Sequence, residues 1–150
     1  MRIALFEPDI PQNTGNILRL GSCLGIEIDI IEPTGFVFGD KKFRRAAMDY
    51  INLVEYKRHL DWDSFYNWSN EKKYRLILFT TKSSKKFIDF KFQHKDILIF
   101  GRESSGAPKF LHDSADEKLT IPMVPGVRSL NLSSSVAIVA GEACRQLNLF

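Results

Sequence analysis

The chain has no apolar run near the roughly 20 residues that a membrane-spanning helix needs, so no membrane is expected as a partner. Its first residues, MRIALFEPDIPQN, hold one Arg and an apolar run too short, and too soon acidic, for a secretory signal. They read as the first strand of a cytoplasmic protein. Cysteine is scarce. Cys23 and Cys144 both sit in helical patterns among apolar neighbours, where buried free thiols are expected rather than a disulfide. His59, His94 and His112 are scattered, with no cysteine or carboxylate at ligand spacing, so no metal is expected. Neither GxGxxG after the first strand nor GxxxxGK followed by Ser or Thr occurs, which removes the two common nucleotide cradles. No GxSxG elbow marks a nucleophilic serine. Neither sign of charge dominates: 21 Lys and Arg stand against 18 Asp and Glu. A net charge of +3 permits an RNA partner without demanding one.

What is present is an α/β pattern. With 150 residues, 44% hydrophobic and 26% charged, the chain has the size and balance of one globular domain, residues 1–150. Residues 3–6 read as a buried strand ended by Glu7-Pro8. The loop DIPQNTGN then leads into a short helix over 17–24, closed by Gly25. Residues 28–31 form a second strand, stopped by Pro33 and Gly35. Residues 40–50, DKKFRRAAMDY, read as a helix with a basic face, and 53–56 as a third strand. An aromatic helix is expected over 61–68, with Trp62, Phe65 and Trp68 on one side. Residues 75–80 and 96–100 read as strands and are apolar throughout their interiors, as strands covered on both faces must be. Residues 119–121 make a sixth strand, while the Lys-rich connection from 81 to 95 has no clear pattern. Strands alternating with helices predict a parallel sheet flanked by helices.

Three segments carry reactive or ligand-holding residue types at strand ends. In the first, NTGNILR, Asn13 is placed to cap a helix and Gly15 lets backbone approach a ligand. Arg19, about one turn in, can fork onto a phosphate; a capped helix with a solvated arginine accounts for the same residues. The second, FGRESSGAP from Phe100, sets Glu103 between two glycines at the end of a buried strand, where a plain turn is the competing account. The third runs from the sixth strand through a loop with Pro122, Pro125 and Gly126. It passes Arg128 and the helix-start residue types Ser129, Asn131 and Ser133. There it enters a helix whose Leu132, Val136, Val139, Ala140, Ala143 and Leu147 form one apolar stripe. Open α/β sheets bind ligands at the carboxyl ends of strands, although an ordinary loop before a core helix fits equally well. Lys41, Lys42, Arg44 and Arg45 put four positive charges within five positions of one helix, either an RNA-facing surface or a solvated face.

In this order NxGxxxR, FGxExxG and IPMxxxxxSLNLS, the last followed by a helix with Glu142, resemble the three-motif signature of the SPOUT methyltransferases, SpoU branch. EPDIPQNTGNILRL, IIEPTGF, the basic helix and IPMVPGVRSLNLS extend the likeness over essentially the whole chain. They resemble the TrmL type, whose members methylate the ribose 2′-oxygen of the tRNA wobble nucleotide, cytidine or a modified uridine. One departure stands out. In that type the middle motif reads closer to FGPETRGLP, whereas here Arg102 takes the place of Pro and Ser105 that of Arg. Either a guanidinium is relocated within one loop, or the RNA is a different one.

The resemblance implies a C-terminal deep trefoil knot, which no periodicity would suggest, knots being nearly absent elsewhere. It implies S-adenosylmethionine (S-adenosyl-L-methionine) as cofactor, held in the knot by Phe79, Thr80, Gly101, Ile121, Met123, Ser129 and Leu130. It implies the anticodon stem-loop of tRNA as partner, that of a leucine tRNA among them, and a homodimer in which the motif Arg of one subunit faces the other's cofactor. Arg19, Asn13 and Glu103 match the catalytic positions; Lys42, Arg44, Arg45 and Arg128, with Lys41, Lys82 and Lys85, are expected to face RNA. A guanidinium keeps its proton at neutral pH, so Arg19 is expected to hold a phosphate and favour the alkoxide rather than act as the base. Glu103 would position Asn13, Arg19 or the RNA. A twofold dimer is expected to give the Val136 and Val139 stripe a partner surface. The alternatives are the same transfer on another RNA, such as rRNA, and a non-catalytic knotted RNA-binding protein.

Overall fold

The computed structural model describes residues 1–39, 41–47 and 53–149, apart from the side chains of residues 42, 46 and 47. Strand β1 (Arg2–Phe6) is followed by α1 (Pro11–Leu24), β2 (Glu27–Ile31), α2 (Lys41–Ala47) and β3 (Tyr56–His59). Then come α3 (Trp62–Glu71), β4 (Arg75–Phe79), β5 (Asp96–Phe100), α4 (Lys109–Ser114), β6 (Glu117–Leu119) and α5 (Leu132–Leu147). The strands form one parallel sheet in the order β3-β2-β1-β5-β4-β6.

Side chains alternate across the sheet because successive Cβ atoms point to opposite faces. Ile3, Leu5, Ile28, Ile30, Ile77, Phe79, Leu98 and Phe100 pack into the layer that holds Ile17, Phe43, Val136 and Val139 of α1, α2 and α5. Ala4, Phe6, Leu76, Leu78, Ile97 and Ile99 meet Phe65 of α3 and Leu111 of α4 on the other side. Both faces are therefore covered, which is why β4 and β5 are apolar at every interior position.

Several boundaries depart from the sequence reading. Helix α1 begins at Pro11, not at residue 17, because proline's preset φ and missing N–H suit the first helical position. Most of the expected loop is thus helix. Gly25 closes α1 at φ 65°, the left-handed cap that glycine adopts without a Cβ penalty. The third strand lies at Tyr56–His59 rather than 53–56; three of its four residues are exposed, so it carries no apolar run to be read. Its Lys57 and Arg58 suit an edge strand, where charge discourages pairing with other chains. The sixth strand is Glu117–Leu119 rather than 119–121, since it pairs only as far as Leu119 opposite Phe79, where β4 itself ends. A single 3-10 turn, Phe87–Asp89, interrupts the 81–95 connection. The helix expected over 40–50 is seen as α2; residues 40 and 48–50 lie outside the described residues. Cys144 is buried as expected, but Cys23 is exposed on the outer side of α1.

One largely buried polar cluster lies in the layer under α3, open to water only at Glu27, which also pairs with Arg2. Asp29, fully buried, accepts from Arg2 Nε at 2.6 Å and lies 2.7 Å from His59 Nε2. Removing the carboxylate alone leaves the buried Arg2 guanidinium with its half-exposed partner Glu27 as the remaining carboxylate. Asp29→Ala is therefore expected to cost about 2–3 kcal/mol of folding stability, short of the full cost of an unpaired buried charge because Glu27 stays on Arg2. Urea denaturation measures it, and a loss below about 1 kcal/mol would show that water reaches Arg2.

Candidate active site

A cleft of about 550 Å³ opens over the carboxyl ends of β4 and β5, beside the first turn of α1. In chain order the sheet grows outward from β1 to β3 on one side, while β5, β4 and β6 lie on the other. The cleft thus sits near the point where the winding reverses, the usual ligand position in open α/β sheets. Its walls are the loops that follow β4, β5 and β6, together with Ile10 and Asn13.

Phe79, Thr80, Gly101, Ile121, Met123, Ser129 and Leu130 all line this cleft, as do Asn13, Glu103 and Arg128. Arg19 does not. It is exposed on α1, six residues beyond Asn13 and so roughly 9 Å further along the helix axis. Arg44 and Arg45 are exposed on α2, away from the cleft, and the side chain of Lys42 lies outside the described residues. Lys82 is on the cleft wall, whereas Lys85 pairs with Glu117 at 2.8 Å. Sequence reasoning passed over His112, which lines the cleft from α4; a lone histidine on a short helix gave no signal.

The three motif segments are joined by side-chain hydrogen bonds across the cleft. Asn13 does not cap α1, where Ile10 is the N-cap; it lies within the first turn, buried, with its amide turned to the other two loops. Its Nδ2 donates to Glu103 Oε1 at 3.0 Å, and its Oδ1 accepts from Asn131 Nδ2 at 2.9 Å. Asn131 in turn caps α5, accepting from Ser134 N at 3.3 Å and from Ser133 Oγ at 2.7 Å. Glu103 takes a second bond, from the backbone N–H of Asp9 at 2.7 Å. Of the partners open to it from sequence, Glu103 therefore holds Asn13.

The departure at position 102 has a visible role. The Arg102 guanidinium donates to Glu7 at 2.9 Å and to Asp9 at 2.7 Å and 3.2 Å. It holds the Asp9 carboxyl below the usual carboxylate range, helped by two donors from Ser104. The 102–106 loop is closed by reciprocal backbone bonds between Arg102 and Gly106, with Gly106 at φ 69°. A Cβ at Gly101 would lie 2.5 Å from Ala107 N and 2.5 Å from the Gly106 carbonyl carbon. A side chain at Gly101 would thus meet the loop's own backbone first.

The cleft fits an adenosyl compound. Its volume is that of a small-molecule site, and Phe79, Phe100, Ile121, Leu130 and Leu132 offer apolar surface for a flat base beside polar loop backbone. His112 Nε2, buried on the wall, has no hydrogen-bond partner, the kind of orphan a polar ligand satisfies. Burial lowers the His112 pKa, with Lys82 and Lys118 adding to the effect, so the ring is neutral at pH 7. Among the described residues no group of His, Cys, Asp and Glu could hold a metal ion, and no helix is long and apolar enough to cross a membrane.

Comparison with known proteins agrees with this geometry. Residues 1–141 match the SpoU rRNA Methylase family. The chain is 50% identical over 145 residues to a tRNA (cytidine(34)-2'-O)-methyltransferase of Beijerinckia indica subsp. indica, covering 97% of this chain and 91% of that one. It superposes with a TM-score of 0.93 and 35% identity on a protein solved for the 2-OH methylation of C/U34 on tRNA, over 98% of this chain and 95% of that one. An AdoMet-bound rRNA methyltransferase from Sinorhizobium meliloti is similar at a TM-score of 0.89 and 25% identity, over 97% of this chain and 56% of that one.

Proposed function

The chain belongs to the SpoU rRNA Methylase family, and from that premise we propose that it methylates the ribose 2′-oxygen of nucleotide 34 of tRNA, cytidine or uridine. It is an RNA 2′-O-methyltransferase with S-adenosylmethionine as donor. The observation that carries the reading is the convergence of all three motif segments on one cleft, bonded to each other through Asn13. A leucine tRNA is the proposed acceptor, and the proposed substrate places the work in the cytoplasm.

When bound, S-adenosylmethionine supplies a sulfonium methyl group for transfer to the ribose oxygen. Phe79, Ile121 and Leu130 would pack against the adenine, and the backbone of Thr80, Gly101, Met123 and Ser129 would meet its polar edges. Glu103 and Asn131 hold Asn13 from two sides, so its amide is set before RNA arrives, and positioning of this kind supplies much of the barrier reduction. Arg19 is proposed to hold the phosphate beside the ribose and to stabilise negative charge on the 2′-oxygen. The proton passes to that phosphate or to water, because a guanidinium does not accept it.

Two further parts of the reading concern assembly. The C-terminal segment is proposed to form a trefoil knot in this single domain. In support, the chain leaves β6 at the sheet edge and returns past the ends of β4 and β5 to α5, whose cap bonds Asn13. A homodimer is proposed, but not through the stripe expected from sequence: Val136 and Val139 are fully buried in the chain's own core. The partner would instead cover Ile10, Val124, Val127 and Ile138, large apolar side chains left exposed at the loop after β6, at α5 and beside α1. A second subunit also gives Arg19, which lies off its own cleft, a cleft to face.

Mass spectrometry of nucleosides and fragments from tRNA incubated with protein and S-adenosylmethionine tests the function. A 2′-O-methyl group at nucleotide 34 is the expected result; one placed only in rRNA, or none, would overturn it. The α2 surface is expected to serve RNA binding alone. Reversing Arg44 and Arg45 to Glu should weaken tRNA binding and lower its salt slope by roughly 1.5 to 2, with cofactor affinity unchanged. An unaltered slope returns α2 to a solvated face.

A further inference from the structure

Between the loops after β1 and β5 lies a cluster that the proposed chemistry does not use. Glu7, directly after β1, adopts φ 44°, a left-handed conformation that few residues other than glycine hold without support. Its side chain reaches Arg102, and two residues later Asp9 meets the same guanidinium. All three guanidinium nitrogens, Nε, Nη1 and Nη2, are thereby engaged with carboxyl oxygens of the other loop. Ser104 adds its N–H and Oγ to Asp9 at 3.1 Å and 2.5 Å. The backbone N–H of Asp9 then reaches Glu103, which holds Asn13. An unbroken line of bonds thus runs from Glu7 through Arg102, Asp9 and Glu103 to Asn13 and the cap of α5.

We propose that Arg102 is a positioning residue: by clamping Glu7 and Asp9 it sets the residue-9 amide where it and Asn13 can grip Glu103 together. A proline at this point would stiffen the loop through its ring; here an arginine ties the loop through space to its neighbour. Arg102 is committed to that task and does not bind RNA phosphate. Its place on the cleft wall comes from the loop it closes. Ser105, exposed on the same loop, takes no part in the line.

The proposal rests on the methyltransferase reading for its kinetic part only, because the geometry can be measured without turnover. In Arg102→Ala, amide hydrogen exchange at residue 9 should quicken about tenfold and kcat on tRNA should fall about tenfold. S-adenosylmethionine affinity and the salt slope of RNA binding should stay as in the parent. Arg102→Lys, which keeps the charge but loses the fork, should fall between the two. The decisive variant exchanges the charges, Asp9→Arg with Arg102→Asp, in a Glu7→Gln background so that the new carboxylate does not face the one that Arg102 held. The contact with Glu103 comes from the backbone of residue 9, so it survives the exchange and both readouts should recover in part, the two bonds from Ser104 to the residue-9 carboxylate being lost. Unchanged amide exchange in Arg102→Ala, with the protein folded by its melting curve, overturns the proposal. So does a loss confined to RNA affinity, with a shallower salt slope and no recovery in the exchanged pair. Absence of tRNA methylation by the parent protein would sink the functional reading, while the exchange measurement still decides the role of Arg102.

Discussion

Gly101→Val is expected to abolish S-adenosylmethionine binding, weakening it by more than about a hundredfold in calorimetry, a change of about 2.7 kcal/mol or more. The cause is not ligand space alone. A Cβ on residue 101 meets the amide nitrogen of Ala107 and the carbonyl carbon and oxygen of Gly106, at 2.5, 2.5 and 2.9 Å. All three are backbone atoms, so no rotamer change can relieve the contact, and the turn from 102 to 106 must move. Ser105, Gly106 and Ala107 at that turn line the cleft, so its displacement closes or distorts the cofactor wall. Gly101→Ala separates the two accounts. If only ligand space mattered, one methyl group would be tolerated; since the loop itself is in the way, alanine is expected to lose most of the affinity too. A folded Gly101→Val protein with undiminished affinity would remove the β5 loop from the site.

Arg19→Ala is expected to stop methyl transfer, slowing it on the order of 10²–10³-fold as loss of a charge-stabilising donor does, while cofactor affinity stays within about threefold. Arg19 is on an exposed part of α1, off the cleft, so its removal leaves the cofactor walls untouched. Arg19→Lys keeps a positive charge without the fork and should retain part of the activity. Single-turnover methylation across pH tells phosphate holding from proton removal: a lysine acting as base would gain activity as pH rises. Mixing locates the arginine. Neither Arg19→Ala nor Gly101→Val protein is expected to be active alone, yet a mixed dimer of the proposed kind would have one cleft with its Gly101 facing an intact Arg19 from the partner. Recovery of activity on mixing is the result expected of a shared site. No recovery, with mixed dimers demonstrated by mass, would put Arg19 back beside its own cleft.

The loops that line the cleft could be located without coordinates. Gly101 follows an apolar segment, and the loop from Ile121 to Ser129 is broken by Pro122, Pro125 and Gly126 before a helix; a strand's carboxyl end is where open α/β sheets bind ligands. Strands β4 and β5 and the stripe on α5 announce themselves because burial on both faces or on one helix face imposes a local pattern. Edge strand β3 does not, since three of its four residues face water and nothing selects an apolar run. Nor does periodicity tell an inward stripe from an interface. Val136 and Val139 have helical spacing either way, and only the packing of α5 against α1 and the sheet decides that they are core. The partners of the polar residues are least legible of all. Asn13 meets Glu103 across 90 positions and Asn131 across 118, while Arg102 meets Asp9 across 93. Residue type and spacing along the chain thus determined which loops line the cleft. The folding of those loops onto one cleft decided what each side chain holds, because a hydrogen bond needs two groups within about 3 Å, a condition that chain order alone cannot set.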